Sequence, residues 1–373
     1  MSLQYHQVSP KELKALTTAI FSKMGCSLSD AELASDVLQS ADLRGIDSHG
    51  VARLSGYVRL WNANRINAKA QPSIVHETNT TATLDGDGGL GLTNAAKAMD
   101  IAIQKAKEHG SGWVAIQNSN HFGIAGYHAM KALEHDMIGM ALTNASPLVA
   151  PTFSKERLLG TNPICYAIPA GKCEPVVIDM ATSAAANGKL EIAKRKGDQI
   201  PTGWLQNKAG QDTNNPEDLK GGGSLLTLGS TKEMGSHKGY GLSAFVDIFS
   251  GVLSGANYGP WVPPFVSFLP LALDMPGKGI GHFVGAMRVD GFRPIDDFKN
   301  NMDQWINRFK ASDTIEGQNE VIIPGEPEAR MYTKRKNEGI PLIDPVFLDL
   351  KSICKEMDIG CKQDFTPCTG RKE

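Results

Sequence analysis

The chain has 373 residues, 41% hydrophobic and 21% charged, with a formal net charge of −2. This is ordinary folded-protein usage: it excludes a disordered, collagen-like or coiled-coil chain and offers no basic surface for nucleic acid. Six cysteines are too few for a disulfide framework and fit a reduced, cytoplasmic setting, and 39 glycines are the one excess.

Residues 1–10 lack the charged-then-apolar pattern of a signal peptide. Ser9-Pro10-Lys11-Glu12 is a capping box with proline at the first helical position, and it predicts a helix to Met24 with Gly25 as its stop. Ser29-Asp30-Ala31-Glu32 predicts a second helix, to about Leu43, and a third is expected from near Ser48 to about Asn62. From about Ile74 strands and helices alternate. A strand is expected at 82–85, then a helix in which Ala95, Ala98, Met99, Ala102, Ile103 and Ala106 recur at helical spacing. A strand at 112–117, a helix at 125–135 and a strand at 138–144 follow, then apolar runs at 164–169 and 175–180. A helix at 184–196, a polar loop at 206–224, an apolar helix at 239–253 and a strand at 279–289 complete this part. The apolar stretch 261–275 is broken by Pro263, Pro264 and Pro270, too short and too kinked to span a bilayer. The rest reads as helices near 298–310, 329–337 and 346–357. The expected organisation is α/β: a discontinuous helical domain (1–75 and 296–359), a central α/β domain (76–295), and a flexible tail (360–373).

Gly86-Asp87-Gly88-Gly89-Leu90-Gly91 matches G-x-G-x-x-G between a strand and a helix. A dinucleotide fingerprint also needs an acidic residue at the end of the next strand. That strand ends Gln117-Asn118-Ser119-Asn120-His121, so the glycines read as a turn. No P-loop, H-E-x-x-H, G-x-S-x-G or EF-hand loop is present, and Cys361 and Cys368 lack partners for a zinc site.

Three segments carry chemistry. Asp47-Ser48-His49-Gly50 is followed one turn later by Arg53. On a helix His49 and Arg53 lie about 40° apart, away from the arc of Val51, Leu54, Val58 and Trp61. Beside a helix N-terminus such a pair seats a small carboxylate, with arginine as a bidentate clamp; a solvated helix face meets the same spacing. Asn118-Ser119-Asn120-His121-Phe122-Gly123 stands where a strand gives way to a helix, the place where ligands gather in α/β sheets. His121 there suits proton transfer and equally a loop or cap, whereas His128 and His135 read as packing or surface residues. Asp179-Met180-Ala181-Thr182-Ser183 ends another strand, where Asp179 can accept hydrogen bonds from ribose hydroxyls or Thr182 and Ser183 can cap a helix. Lys194, Arg195 and Lys196 are solvated charge or a phosphate contact, and Lys238, in the loop 235–241, could reach phosphate at a helix N-terminus.

Taken in order, these segments resemble the type 2 malate/L-lactate dehydrogenase family, which includes sulfolactate, ureidoglycolate and diketogulonate oxidoreductases. The matching segments begin with Asp47–Gly50 with Arg53, Gly86–Gly91 and Asn118–Gly123. They continue through Thr143-Asn144 with Ser146-Pro147, Gly160–Pro163, Asp179–Ser183 and Gly203-Trp204. Lys238–Leu242, Gly281–Phe283 and Pro324–Glu326 complete a likeness running from about Ser9 to about Ile359. The resemblance implies NAD- or NADP-dependent interconversion of a small 2-hydroxy acid and its 2-oxo acid, malate and oxaloacetate foremost. A cyclic imine or sugar-acid reductase on the same fold is the alternative. It further implies a non-Rossmann three-layer mixed-sheet nucleotide domain and a homodimer, with no metal and no membrane partner. It assigns acid–base chemistry to His121 or His49 and carboxylate binding to Arg53. Cofactor contacts fall on Ser146, Asp179, Met180, Ala181, Lys238, Gly325 and Glu326. The chain departs from shorter members at 221–226, at 261–275 and after Gly360.

Overall fold

In a computed structural model, which describes residues 5–360 and 367–368, the chain begins with a strand, β1 (Tyr5–Val8), and two helices, α1 (Pro10–Met24) and α2 (Leu28–Leu43). Gly25 ends α1 in the left-handed region, its N–H turned back to the carbonyls of Phe21 and Ser22. The cap of α2 is Ser27 rather than Ser29: its Oγ accepts the Asp30 N–H at 3.2 Å.

The third helix differs from expectation. Two single 3₁₀ turns, Asp47–His49 and Val51–Arg53, precede α3 (Leu54–Asn62). The cause is Asp42, whose buried carboxylate accepts the Val51 N–H at 2.9 Å. It fills the place of a side chain at Gly50, where a Cβ would lie 1.9 Å from Asp42 Oδ1. Gly50 therefore takes an extended ψ and the helix cannot begin before it. The wheel angle between His49 and Arg53 does not apply, and no α-helix N-terminus opens at His49.

The central sheet has seven strands in the order β2-β3-β4-β11-β5-β6-β7. In chain order these are β2 (Ser73–Glu77), β3 (Thr81–Asp85), β4 (Ser111–Ser119), β5 (Met137–Thr143), β6 (Ile164–Ile168), β7 (Val176–Met180) and β11 (Ile280–Arg288). β3 and β4 run parallel, joined by α4 (Gly91–His109); every other neighbouring pair is antiparallel. Ala95, Ala98, Met99 and Ala102 of α4 pack on Val114, Ile116, Val284 and Ala286 of the sheet. α5 (Ala125–Met130) is shorter than expected and passes into a 3₁₀ turn ending at His135. The stretch read as loop holds β8 (Leu205–Gln206), β9 (Asp212–Thr213) and β10 (Ser224–Leu225), paired with one another.

After α6 (Asn187–Lys196) and α7 (Ser236–Asp247), α7 continues as a π-helical turn, Ile248–Val252. The chain closes with α8 (Ile295–Lys310), α9 (Glu326–Glu338), β12 (Ile340–Ile343), α10 (Asp344–Glu356) and β13 (Pro367–Cys368). β12 and β13 flank β1 antiparallel. Leu13, Phe21, Leu38, Leu54 and Tyr57 share one apolar core with Ile340, Leu342, Leu350 and Ile353 from the other end of the chain. α8 packs elsewhere, placing Ile306 and Met302 on Val176 and Ile178 at the β7 edge of the sheet. The tail expected to be flexible otherwise lies outside the described residues. Among those described, no helix is long and apolar enough to cross a membrane.

Candidate active site

His121 stands where β4 runs out, and two layers of contacts fix that end. The glycine turn is the first. Gly86 N–H donates to Gln117 O and Gly88 N–H to Asn118 O, at 2.9 and 2.8 Å, while Gly89 N–H closes back on Gly86 O. Asn120 Nδ2 returns bonds to the carbonyls of Gly88 and Gly89. A Cβ at Gly91 would lie 1.9 Å from Asn120 O, so the close approach requires glycine. With two of these N–H groups spent on the strand end and the third within the turn, the turn braces His121 and has none of the three left to offer a pyrophosphate. The second layer is buried His282, whose Nδ1 lies 2.7 Å from Thr143 Oγ1 and whose Nε2 lies 2.9 Å from Ser119 Oγ. Phe122 stacks on the His282 ring, and the Phe122 carbonyl accepts from His128 Nε2 at 2.7 Å. Burial pushes His282 down to about 3 and His128 down to about 4, so both are neutral packing residues.

On this support the His121 ring is held at one nitrogen. Tyr57 Oη lies 2.7 Å from Nδ1 and 3.3 Å from the His121 carbonyl, and Gly123 N–H donates to Nδ1 at 3.2 Å. Burial pushes the Tyr57 phenol up, so it stays protonated and donates to Nδ1. The resting neutral ring then carries its proton on Nε2. The His49 ring lies 5.7 Å from the His121 ring and Phe265 lies 4.7 Å from it, centre to centre. Burial, followed by the charges of His49, Arg53 and His282, holds His121 well below the ordinary histidine range. Burial, then Arg53, brings His49 down to about 4; its Nδ1 meets Ser48 Oγ at 2.8 Å. Arg53 Nε donates to Ser48 O at 2.6 Å, which leaves the two terminal nitrogens of the guanidinium for a ligand. Ser146 joins this group through a loop: its Oγ donates to Pro263 O at 3.3 Å and accepts from Phe265 N–H at 3.2 Å.

A second group forms at the β7 edge. One oxygen of Asp179 accepts the Gly126 N–H at the start of α5, at 2.7 Å, and the other accepts no hydrogen bond among the described residues. Part of Asp179 faces solvent, yet the protein packed around the carboxyl pushes it up to about 6. Val177 N–H donates to Pro324 O at 3.0 Å, which lays Gly325, at φ +91°, against Val177 of β7, the strand that ends at Met180. The Glu326 carboxylate is taken up by Lys310, by Arg330 and by the Ile323 N–H. Lys238 is exposed in the first turn of α7, whose start rests on Thr227; the neighbouring Leu228 N–H reaches Thr182 O at 3.0 Å. Buried Asn162 ties the pieces together: Oδ1 accepts Ala145 N–H, its carbonyl accepts Thr182 Oγ1, and Nδ2 donates to Ser243 O. Lys194 pairs with Glu217 at 2.5 Å, and the side chains of Arg195 and Lys196 lie outside the described residues.

Residues 8–351 match the malate/L-lactate dehydrogenase family. The chain belongs to that family. It is 41% identical over 356 residues to a malate dehydrogenase of Pyrococcus abyssi, covering 95% of this chain and 96% of that one. It is 37% identical over 352 residues to a malate/(S)-sulfolactate dehydrogenase of Methanothermus fervidus, covering 94% and 98%. A crystal structure of malate dehydrogenase from Entamoeba histolytica superposes with a TM-score of 0.89 at 34% identity, covering 96% and 99% of the two chains.

Within this dehydrogenase fold, Tyr57 and Phe265 adjoin the candidate site although sequence reasoning did not single them out, and it gave Asn162, in the matching segment Gly160–Pro163, no site role. Tyr57 had a signal, since it follows Arg53 by four residues and so shares its helical face. Phe265 had none: it reaches His121 from a loop far away in sequence.

Proposed function

We propose that this dehydrogenase interconverts a small 2-hydroxy acid and its 2-oxo acid with NAD or NADP, malate and oxaloacetate being the pair to test first. The observation that carries the reading is a histidine pinned at Nδ1 by Tyr57 and Gly123, its Nε2 without a hydrogen-bond partner among the described residues, with Arg53 near enough for its charge to act on the ring. In this reading Arg53 grips the substrate carboxylate and orients the 2-carbon oxygen toward His121 Nε2. In the hydroxy-acid direction Nε2 takes the hydroxyl proton; in the oxo-acid direction the imidazolium returns it. Tyr57 Oη reaches both Nδ1 and the His121 carbonyl. It donates to Nδ1 at rest. For Nε2 to act as base, the ring first loses its Nε2 proton to solvent and takes one from solvent at Nδ1. Tyr57 Oη then accepts from Nδ1–H while donating to the carbonyl, and the 3.2 Å Gly123 N–H contact is given up. The bound carboxylate favours the imidazolium that this step creates. His49 assists from the adjoining ring or exchanges roles with His121.

The second group fits a dinucleotide. Asp179 keeps one carboxylate oxygen for ribose hydroxyls, Gly325 lets backbone lie close to the strand, and Lys238 offers charge to phosphate. Met180, Ala181 and Ser146 complete the proposed contacts, and Glu326 contributes backbone because its carboxylate is already engaged. The chemistry that NAD or NADP supplies when bound is hydride exchange at the 2-carbon. A homodimer belongs to the same reading, supported by exposed apolar residues along α7 and its continuation: Tyr240, Leu242, Ile248, Val252 and Leu253.

The test is a matrix of NADH and NADPH against 2-oxo acids, cyclic imines and diketo sugar acids. Turnover of 2-oxo acids is expected. Turnover of cyclic imines or diketo sugar acids alone moves the proposal to that chemistry, and no turnover with either cofactor overturns it.

A further inference from the structure

We infer that the proline-rich segment 259–269 is a strap across the substrate pocket and that Phe265 is the residue that sets the size of acid admitted beside His121. The inference rests on the dehydrogenase reading above. The strap is anchored at several points. Its start is fixed where Gly259 N–H donates to Asp247 Oδ2 at 2.8 Å, and Val262 is buried. Ser146 Oγ then bridges Pro263 O and Phe265 N–H. One guanidinium, Arg65, binds three carbonyls of the strap: Pro264 O at 3.1 Å, Val266 O at 2.8 Å and Leu269 O at 3.3 Å. Pro260, Pro263 and Pro264 fix φ at three positions, so little chain entropy opposes this one path.

The result is an aromatic ring held over the candidate chemistry from outside the sheet. Phe265 lies 4.7 Å from the His121 ring and 5.0 Å from the Tyr57 ring. Its room is made by Gly56 on α3, where a Cβ would come within 2.8 Å of Phe265 Cε1. The substrate held by Arg53 must present its 2-carbon to Nε2 of the ring that Phe265 covers, so the group beyond the 2-carbon meets this wall. A rigid apolar wall discriminates by volume, at about tenfold or more for each misfit methylene.

Gly56 and Phe265 therefore give opposite variants. Phe265→Ala removes the wall; Gly56→Ala presses the ring toward His121, and alanine suits the helix in which it stands. Each is assayed with pyruvate, 2-oxobutyrate, 2-oxo-4-methylpentanoate and phenylpyruvate, and the readout is kcat/KM for phenylpyruvate divided by that for pyruvate. The ratio is expected to rise at least about tenfold in Phe265→Ala and to fall below wild type in Gly56→Ala. An unchanged ratio in both variants, with all acids losing activity alike, overturns the inference and leaves Phe265 a packing residue. If the wild type reduces none of these acids and not oxaloacetate either, the dehydrogenase reading fails separately. The same two ratios are then read from the thermal shift each acid produces, with the same outcomes for and against.

Discussion

In the proposed chemistry Tyr57 governs which ring nitrogen of His121 meets the substrate. Its hydroxyl is the stronger of two contacts on Nδ1 and the only one able to reverse from donor to acceptor. Tyr57→Phe is expected to lower kcat roughly tenfold with KM little changed, and to shift the histidine limb of the pH–rate profile; a merely structural tyrosine would leave that limb in place. Arg53 acts on binding instead. Arg53→Gln removes a charge-assisted pair worth about 1.5–3 kcal/mol, so kcat/KM should fall roughly 10- to 150-fold, mostly through KM. At this scale the sequence disclosed residues whose chemistry stands out in polar runs at element ends: His49, Arg53, His121 and Asp179. It did not disclose Phe265, because nothing local marks an apolar residue as the neighbour of a histidine more than a hundred positions away.

The elements around the site depend on a few tight approaches. Asp42 breaks the expected third helix and so turns His49 toward His121. Gly50→Ala would drive a methyl into the Asp42 carboxylate and should cost about 1–3 kcal/mol, read as a lower midpoint in urea. Burial pushes the Asp42 carboxyl well above its usual range, which favours the neutral acid. Asp42→Asn, which still accepts from Val51 N–H, should therefore unfold near the wild-type midpoint, whereas Asp42→Ala orphans that N–H and should cost about 1–3 kcal/mol. The long helices and the inner strands were legible from periodicity and caps. The strands that escaped are short or carry no contrast. β1 and β12 have four residues each, and all five residues of β2 are exposed, so no alternation marks it.

Across the whole molecule, buried titratable groups couple stability to pH in two directions. His128 and His282 bind protons more weakly folded, at about 4 and about 3, than unfolded, at ~6.5. The unfolded chain therefore takes up more protons below ~6.5, and their stability contribution is lost progressively as pH falls from there toward 3. Asp179 works oppositely: its raised carboxyl binds protons more tightly folded, so its contribution grows as pH falls through about 6 toward ~3.9. His282→Phe should thus flatten the fall of stability between pH 6.5 and 4 by up to about 1.4 kcal/mol per pH unit, measured by urea titration at each pH. The mixed α/β class was legible from alternating patterns, and helical patterning at both ends led to the expectation of one split helical domain. The two ends do share an apolar core, but α8, expected with them, packs at the β7 edge because its apolar face meets Val176 and Ile178. The central claim concerns His121, and steady-state reduction of oxaloacetate by wild type and His121→Ala tests it most directly. A loss of roughly 10²–10⁴ in kcat is predicted; wild-type turnover in His121→Ala would contradict the assignment.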